Sequence, residues 1–314
     1  MYLFGWDFVR NIKILPDVVY YSVNIAYLCT MESRYYKVAG HTFGVSGEAK
    51  AFALMDNYEP FQTSPSDGDP IFMLTIVEGQ SVSYTEDLRQ EEEGQVIICG
   101  RTATGEAVYE FIWWNESAGW LVCSNDYREG RLILRGRHTK MAIDNALMVM
   151  FALAAAEKGT VLFHASAVSC DGRGYMFLGK SGTGKSTHAS LWVKHIEGAV
   201  LINDDNPVVR ISDGGAVVYG SPWSGKTPCY RDVSYPLGGI VLLSQAPYNQ
   251  IRRLQGLEAY MTLMSSISGQ RWDEGIANGL HLTENELASN MPMWHLECLP
   301  DKAAAEMCQE KVKG

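Results

Sequence analysis

Glycines, a lysine and several hydroxyl side chains are concentrated in one stretch of the sequence, FLGKSGTGKSTHASLW, which spans residues 177–192. Gly179, Gly184, Lys185 and Ser186 match the spacing G-x-x-x-x-G-K-[ST], with an apolar strand-like run before them and a helix-like run after them. Glycines allow backbone amides to point at phosphate oxygens, and the start of a helix adds the positive end of its dipole. The stretch therefore predicts a binding loop for the phosphates of a nucleotide.

Each residue type in this loop has a predicted task. Lys185 would place a positive charge beside the β- and γ-phosphates, and the Ser186 hydroxyl would ligate Mg²⁺. The predicted cofactors are ATP and Mg²⁺, although another nucleotide or a diphosphate donor would fit the same pattern. The residues predicted to bind the nucleotide are Gly179, Lys180, Ser181, Gly182, Thr183, Gly184, Lys185, Ser186 and Thr187.

A pair of acidic residues follows the loop at the end of the next apolar run. The segment AVLINDDNPVVRI, residues 199–211, predicts a strand that ends in Asp204 and Asp205. A second carboxylate that handles magnesium is expected at this place in a phosphate-loop protein. Two adjacent acids indicate two tasks, one on the metal and one near an incoming hydroxyl, while a simple polar turn is the alternative.

Two further features are less specific. His164 lies in an apolar run, TVLFHASAVSC, which predicts a single strand and in which a lone histidine is most often a hydrogen-bonded core residue. The segment YGSPWSGK, residues 219–226, contains two glycines, a proline and Trp223, which we expect to be exposed, just ahead of Lys226. This composition is compatible with a loop that approaches a ligand and equally with an ordinary connection.

The elements that must position these residues divide the chain into two halves. Short β-branched and aromatic runs separated by turn residues predict a β-rich domain over residues 31–139, with a docking or regulatory role. Within it, the acidic segment 86–94 predicts a solvated turn or a short helix. From about residue 140 a long apolar helix that ends at Gly159 opens the predicted catalytic domain, residues 140–314. Residues 1–30 form an uncertain leader, and Met31 is a candidate start.

Composition narrows the class of protein. The net charge of −10 argues against nucleic-acid binding, which requires clustered lysine and arginine. Seven cysteines without a C-x-x-C pair indicate a reducing, cytoplasmic setting rather than a disulfide framework or a zinc site. The longest uninterrupted apolar runs, near residues 146–156 and 159–168, are shorter than the roughly 18 residues of a membrane-spanning helix.

Several motifs in order resemble one known family. The series H-A-S-A-V at 164–168, GKSGTGKST at 179–187, INDDNPVVRI at 202–211, GSPWSGK and YPLGGIVLLSQ is similar to the catalytic domain of HPr kinase/phosphorylase and its relatives. Those relatives include kinases found beside ribosomal peptide-maturation genes. More distantly, the series resembles ATP-dependent phosphoenolpyruvate carboxykinase. The resemblance covers about residues 160–300 and implies an α/β fold, in which a mixed-sheet P-loop domain follows the β-rich domain.

The resemblance implies a role for each matching position. Asp204 would be the base that takes a proton from the acceptor hydroxyl and Asp205 would bind Mg²⁺, although the two roles could be exchanged. His164 would lie close to the transferred phosphate. Lys226 and Arg231 would belong to a charged loop near the acceptor. The implied reaction is transfer of the γ-phosphate of ATP to a serine or threonine hydroxyl on a protein or peptide, in an enzyme that often forms homo-oligomers.

Other functions remain open from the sequence. The β-rich half does not match the amino-terminal domain of HPr kinases, and the segment that grips HPr does not align. A small-molecule kinase or a carboxykinase-like enzyme is one alternative, and a regulatory ATPase or a nucleotide-binding scaffold is another. The chain has neither an N-K-x-D guanine motif nor an L-S-G-G-Q transporter signature. The acceptor and any phosphate-removing activity are not fixed by the sequence.

Overall fold

The computed structural model describes residues 31–92, 94–225 and 227–313. The leader predicted over residues 1–30 and Lys226 lie outside the described residues. The described chain forms two large mixed sheets with helices between and around them, so the predicted α/β class is confirmed.

The described residues of the first half form a nine-stranded sheet in the order β3-β1-β2-β4-β9-β8-β7-β6-β5. Two pairs, β2 with β4 and β4 with β9, are parallel and the others are antiparallel. A short helix and a 3₁₀ segment, Asp56–Phe61, follow β2 and precede β3 in the chain. The strands are β1 Glu32–Val38, β2 His41–Gly47, β3 Gln62–Thr63, β4 Met73–Glu78, β5 Thr85–Glu92, β6 Gln95–Arg101, β7 Ala107–Trp113, β8 Glu116–Cys123 and β9 Glu129–Leu134, and the helix is α1 Ala49–Phe52.

The second half forms a sheet in the order β13-β11-β12-β16-β15-β14-β10-β18, to which β19 and β17 are added beside β16. Strand β16 is parallel to both β12 and β19, which makes the centre of the sheet parallel. The strands are β10 Thr160–Phe163, β11 Ala165–Cys170, β12 Arg173–Leu178, β13 Val200–Asp205, β14 Val208–Ser212, β15 Gly215–Tyr219, β16 Ser234–Gln245, β17 Gln250–Leu254, β18 Ile267–Ser268 and β19 Met293–Cys298. The helices are α2 Thr139–Ala155, α3 Lys185–His195, α4 Gly256–Met264, α5 Glu274–Asn290 and α6 Lys302–Lys313.

Helix α2 packs against both sheets. It contacts β7, β8 and β9 of the first sheet and β10 of the second, and its residues belong to one apolar core that includes side chains from both halves. By length and composition, residues 139–158 could cross a membrane, but 61% of the most apolar 18-residue window within them is buried inside the protein. Helix α2 therefore belongs to a core that both halves of the chain share. The domain boundary near residue 140 remains a prediction from the sequence.

The element predicted over the acidic segment is wrong. The acidic segment 86–94, predicted as a turn or a short helix, belongs largely to β5, an edge strand whose residues are all exposed. No apolar alternation marks this strand because neither of its faces is buried, and its pairing with β6 alone holds it in place. The long helix ended by Gly159, where the backbone is left-handed (φ +63°), is present as predicted with a final 3₁₀ turn.

Candidate functional site

The glycine-rich loop joins β12 to α3, as the sequence predicts. Gly179 has φ +151°, and a Cβ at this position would lie 2.5 Å from Thr183 Oγ1 and 3.1 Å from the Leu243 carbonyl oxygen. Gly184 has φ +102° and directly precedes the first turn of α3. Glycine is required at both positions, because a side chain would either collide with the loop or strain the backbone.

Backbone amides at the start of α3 are available to a ligand. No backbone carbonyl among the described residues accepts from the amides of Gly184, Lys185 or Ser186, and the first helical bond runs from the His188 amide to Gly184. These unpaired donors lie at the positive end of the helix dipole. The residues present therefore fit an anionic group such as a phosphate.

Lys185 is buried and surrounded by three acceptors. Its Nζ lies 3.0 Å from the Gly179 carbonyl oxygen, 3.4 Å from that of Lys180 and 2.9 Å from His164 Nε2. Burial lowers the pKa of Lys185, and the carboxylates of Asp205, Glu92 and Asp204 oppose that shift. The three hydrogens of the ammonium group thus have loop carbonyls or His164 as partners, and a bound phosphate would replace some of these acceptors.

His164 lies between Lys185 and Asp205. The single strand predicted from TVLFHASAVSC is wrong, because the segment forms two strands that are separated at His164. Strand β10 pairs with β14 and β18, whereas β11 pairs with β12 and β13. His164 Nδ1 lies 3.2 Å from Asp205 Oδ1. When Lys185 carries its proton it can only donate, so Nε2 of a neutral His164 accepts and the Nδ1 proton faces Asp205. The three side chains form a continuous polar chain.

The two adjacent carboxylates at the end of β13 have different surroundings. Asp204 is 3% exposed, and its Oδ1 accepts a hydrogen bond of 2.6 Å from Ser166 Oγ, on the directly paired residue of β11. Asp205 has a side chain that is 36% exposed. Its φ of +131° is rare for a residue other than glycine and costs about 1–3 kcal/mol. One acid is therefore buried and held, and the other is accessible and strained.

A loop from the far side of the sheet holds the backbone of this pair. We name residues 221–225 the Trp223 loop. The Gly225 amide donates to the Asp204 carbonyl oxygen at 2.5 Å, and Asp205 forms a β-bridge with Ser224. Ser224 Oγ lies 3.1 Å from the same Asp204 oxygen and 2.7 Å from the Thr227 carbonyl oxygen. A Cβ on Gly225 would lie 3.0 Å from that of Asp205, so this close approach needs a glycine.

The predicted exposure of Trp223 is wrong. The residue is 4% exposed, and its carbonyl oxygen accepts from Asn203 Nδ2 at 3.1 Å. Its indole packs against Phe151 of α2 with ring centroids 5.3 Å apart. The buried indole of Trp223 therefore holds the Trp223 loop against α2.

Comparison with known proteins places the second half of the chain in a family. The family model described as SynChlorMet cassette protein ScmC matches residues 135–298, slightly more than half of the sequence. The chain belongs to this family. The matched region of the ScmC family includes the glycine-rich loop, His164, the acidic pair and the Trp223 loop.

Other comparisons give less. No curated protein matches the chain. Among solved structures, the Hpr(Ser) kinase/phosphatase from Coxiella burnetii is similar at 13% identity, over 49% of this chain and 99% of that one, with a TM-score of 0.30. That similarity is too low to assign a function to this member of the ScmC family.

The remaining predicted site residues are distributed around the cluster. Ser181, Gly182, Ser186 and Thr187 are exposed along the rim of the loop, and Lys180 is also exposed. The Gly182 carbonyl oxygen accepts from Gln245 Nε2 at 3.1 Å, and Thr183 Oγ1 donates to the Lys180 carbonyl oxygen at 2.7 Å. These two hydrogen bonds stabilise the conformation of the loop.

Arg231 lies apart from the polar chain. Its Nη1 donates to the Leu201 carbonyl oxygen on β13 at 2.7 Å, and within the described residues it makes no contact with Asp204 or Asp205. No group of three or more His, Cys, Asp or Glu side chains in the described part of the chain is arranged to hold a metal ion.

Three contributors were not predicted from the sequence. Ser166 lies in the H-A-S-A-V run at 164–168, but the sequence alone does not show that strand pairing places it opposite Asp204. Ser224 and Gly225 lie in the segment 219–226, whose composition left its role open. No local signal identifies them, because the Ser166 hydroxyl reaches the Asp204 carboxylate only through strand register, and Ser224 and Gly225 act through contacts with the backbone of β13.

Proposed function

We propose that the protein is an ATP-dependent phosphotransferase that moves the γ-phosphate of ATP to a serine or threonine hydroxyl of a protein or peptide. The observation that carries the proposal is the polar chain Lys185–His164–Asp205 at the mouth of the glycine-rich loop. It links a lysine suited to phosphate binding with an accessible carboxylate suited to an acceptor hydroxyl.

The glycine-rich loop would bind the triphosphate. The amides of Gly184, Lys185 and Ser186 would donate to phosphate oxygens, and Lys185 would exchange its bonds to loop carbonyls for bonds to the β- and γ-phosphates. Mg²⁺, when bound, would neutralise phosphate charge. Ser186 is exposed at the start of α3 and is the proposed hydroxyl ligand for this ion.

The surroundings of the two acids favour Asp205, and not Asp204 as the family resemblance implies, as the residue that contacts the acceptor hydroxyl. A general base must reach the proton that it removes. Asp205 is accessible and contacts His164, whereas the buried Asp204 is held by Ser166 and the Trp223 loop. We therefore assign the acceptor hydroxyl to Asp205 and the positioning of the strand end to Asp204. A positioned base of this kind contributes about 10²–10⁴-fold to the rate.

The acceptor class rests on the resemblance to protein-directed kinases. The test is transfer of label from γ-labelled ATP with Mg²⁺ into a lysate of the source organism, separated into macromolecular and small-molecule fractions. Label in a protein or peptide supports the proposal. Label in a small metabolite would indicate a metabolic kinase, free phosphate alone would indicate a regulatory ATPase, and no release at all would indicate a scaffold or a carboxykinase-like enzyme.

Three variants assign roles in the same assay. Lys185→Ala is expected to abolish binding of a fluorescent ATP analogue and transfer together. Asp205→Asn is expected to keep binding and lose transfer by at least about 100-fold, which is the contribution of a positioned base. If Asp204→Asn abolishes transfer while Asp205→Asn only raises the Mg²⁺ concentration required, the order of roles implied by the resemblance is the correct one.

A further inference from the structure

The first half of the chain contacts the Trp223 loop directly. The Tyr58 hydroxyl oxygen accepts a hydrogen bond of 3.0 Å from Trp223 Nε1, and the two rings meet edge-on with centroids 6.4 Å apart. Asn57 Nδ2 donates to the Pro222 carbonyl oxygen at 2.9 Å. Two consecutive residues of the 3₁₀ segment 56–61 therefore bind the loop that holds the acidic pair.

Asn57 and Tyr58 are themselves fixed. They are 3% and 0% exposed. Asn57 Oδ1 accepts from Lys140 Nζ at 2.7 Å, and its amide nitrogen also donates to Asp144 Oδ1 at 3.0 Å, so both polar atoms of this side chain have partners. The Tyr58 ring packs edge-on against Tyr36 of β1. These contacts provide a rigid support, since every polar group on the side chain of Asn57 is satisfied inside the protein.

We propose that Asn57 and Tyr58 are positioning residues for the acidic pair, and that they act through the Trp223 loop. The inference rests on the proposed phosphotransferase function. If Asn57 and Tyr58 have this role, the strand-rich half is part of the catalytic apparatus, whereas the sequence predicted a docking or regulatory domain. The contacts form one path: Tyr58 to Trp223, then Ser224 to the backbone of Asp204 and Asp205.

The conformation of Asp205 explains why such support is needed. A residue with a side chain returns from φ +131° to an extended backbone unless its neighbours prevent it. The β-bridge to Ser224 and the close approach of Gly225 are the neighbours that hold this conformation. If the loop moves, Asp205 can relax and its carboxylate leaves His164, while the glycine-rich loop on the other side of β11 keeps its own contacts.

The proposal therefore predicts a loss of turnover without a loss of nucleotide binding. Tyr58→Phe removes the acceptor of the Trp223 hydrogen bond and keeps the ring. We expect the rate of label transfer at saturating ATP to fall about 10-fold or more, since small displacements of catalytic groups are costly. The half-saturating ATP concentration and the affinity for a fluorescent ATP analogue are expected to stay within about twofold, because the phosphate loop is untouched.

Tyr36→Phe is the matched control. Tyr36 is also buried in the first half, at 2% exposure, and packs on Tyr58; among the described residues it forms no hydrogen bond or ring pair with the Trp223 loop. The control is expected to transfer label at the wild-type rate. Wild-type turnover in Tyr58→Phe would overturn the proposal, and so would an equal loss in Tyr36→Phe, which would show a general loosening of the core.

A double-mutant cycle tests the path itself. Trp223→Phe removes the donor of the same hydrogen bond and part of the packing on Phe151, so its loss of turnover should be at least that of Tyr58→Phe, and the double variant should lose no more than Trp223→Phe alone. Losses that multiply would show independent effects and overturn the path. Failure of the underlying function is distinguished by the wild-type arm, in which no label would reach any acceptor, and it would overturn this inference as well.

Discussion

The hydrogen bond between Ser166 and Asp204 has a predictable stability effect. Both residues are buried, at 1% and 3% exposure, and the 2.6 Å bond runs from a hydroxyl to a carboxylate. Ser166→Ala removes the donor and leaves the buried acid short of a partner. A hydrogen bond to a charged group contributes about 1.5–3 kcal/mol, so we expect the free energy of unfolding to fall by about 2 kcal/mol.

The corresponding change in melting temperature follows from chain length. An unfolding entropy of about 2.1 cal/mol/K per residue gives about 0.7 kcal/mol/K for this chain, so 2 kcal/mol corresponds to about 3 °C. The assay is calorimetric melting without nucleotide at neutral pH, which keeps Mg-ATP binding out of the measurement.

Ser169→Ala is the matched control for this prediction. Ser169 lies on the same strand, β11, is 5% exposed and donates to the neutral Val200 carbonyl oxygen at 3.4 Å. We expect its melting temperature to fall by about 1 °C or less, since a long bond between neutral groups contributes little. Equal shifts in the two variants would show that Asp204 does not depend on Ser166, and the reasoning about the buried acid would be refuted.

Two further predictions concern stability. Arg271→Ala leaves Glu284 buried at 0% exposure without the bidentate partner whose nitrogens lie 2.6 and 3.3 Å away, and should cost about 3–5 kcal/mol in urea unfolding. Arg252→Ala, which breaks an exposed pair, should lower the free energy of unfolding far less, and similar losses in the two variants would contradict the argument. Burial lowers the pKa of His41 and His188 to about 4. The unfolded chain therefore binds more protons between pH 6.5 and 4, so the free energy of unfolding should fall through that window by about 3 kcal/mol per histidine at its acid end. Urea unfolding at pH 7.5 and 5 measures this slope, and a flat profile would refute it.

Local patterns accounted for most of the elements. The strand, glycine loop and helix around Lys185 were predicted because each is encoded by adjacent residues: an apolar run, glycines with the required spacing and a helix-forming run. The same holds for the long helix ended by Gly159. Strand β5 was not predicted, because an edge strand exposed on both faces carries no apolar alternation.

The site was predictable as a set of residue types and not as an arrangement. Lys185, His164 and Asp205 were all predicted, but their order in one polar chain depends on the break between β10 and β11 at His164, which an unbroken apolar run conceals. The unequal burial of the acidic pair depends on the register that places Ser166 opposite Asp204. Register is a property of strand pairing, and no single segment specifies it.

The residues that would bind phosphate can be recognised in the sequence, whereas those that position the proposed base cannot, because the first are neighbours in the chain and the second are far apart. A glycine-rich loop needs only its own strand and helix, so its residues lie within ten positions of one another and are visible as a motif. Holding Asp205 in a strained backbone requires a rigid support outside β13, and here Tyr58 provides it through Trp223, 165 positions away. If Tyr58→Phe reduces turnover as expected, the strand-rich half belongs to the active site for a reason that only the folded arrangement contains. Its composition, rich in strands and poor in catalytic residue types, then reflects support of the acidic pair.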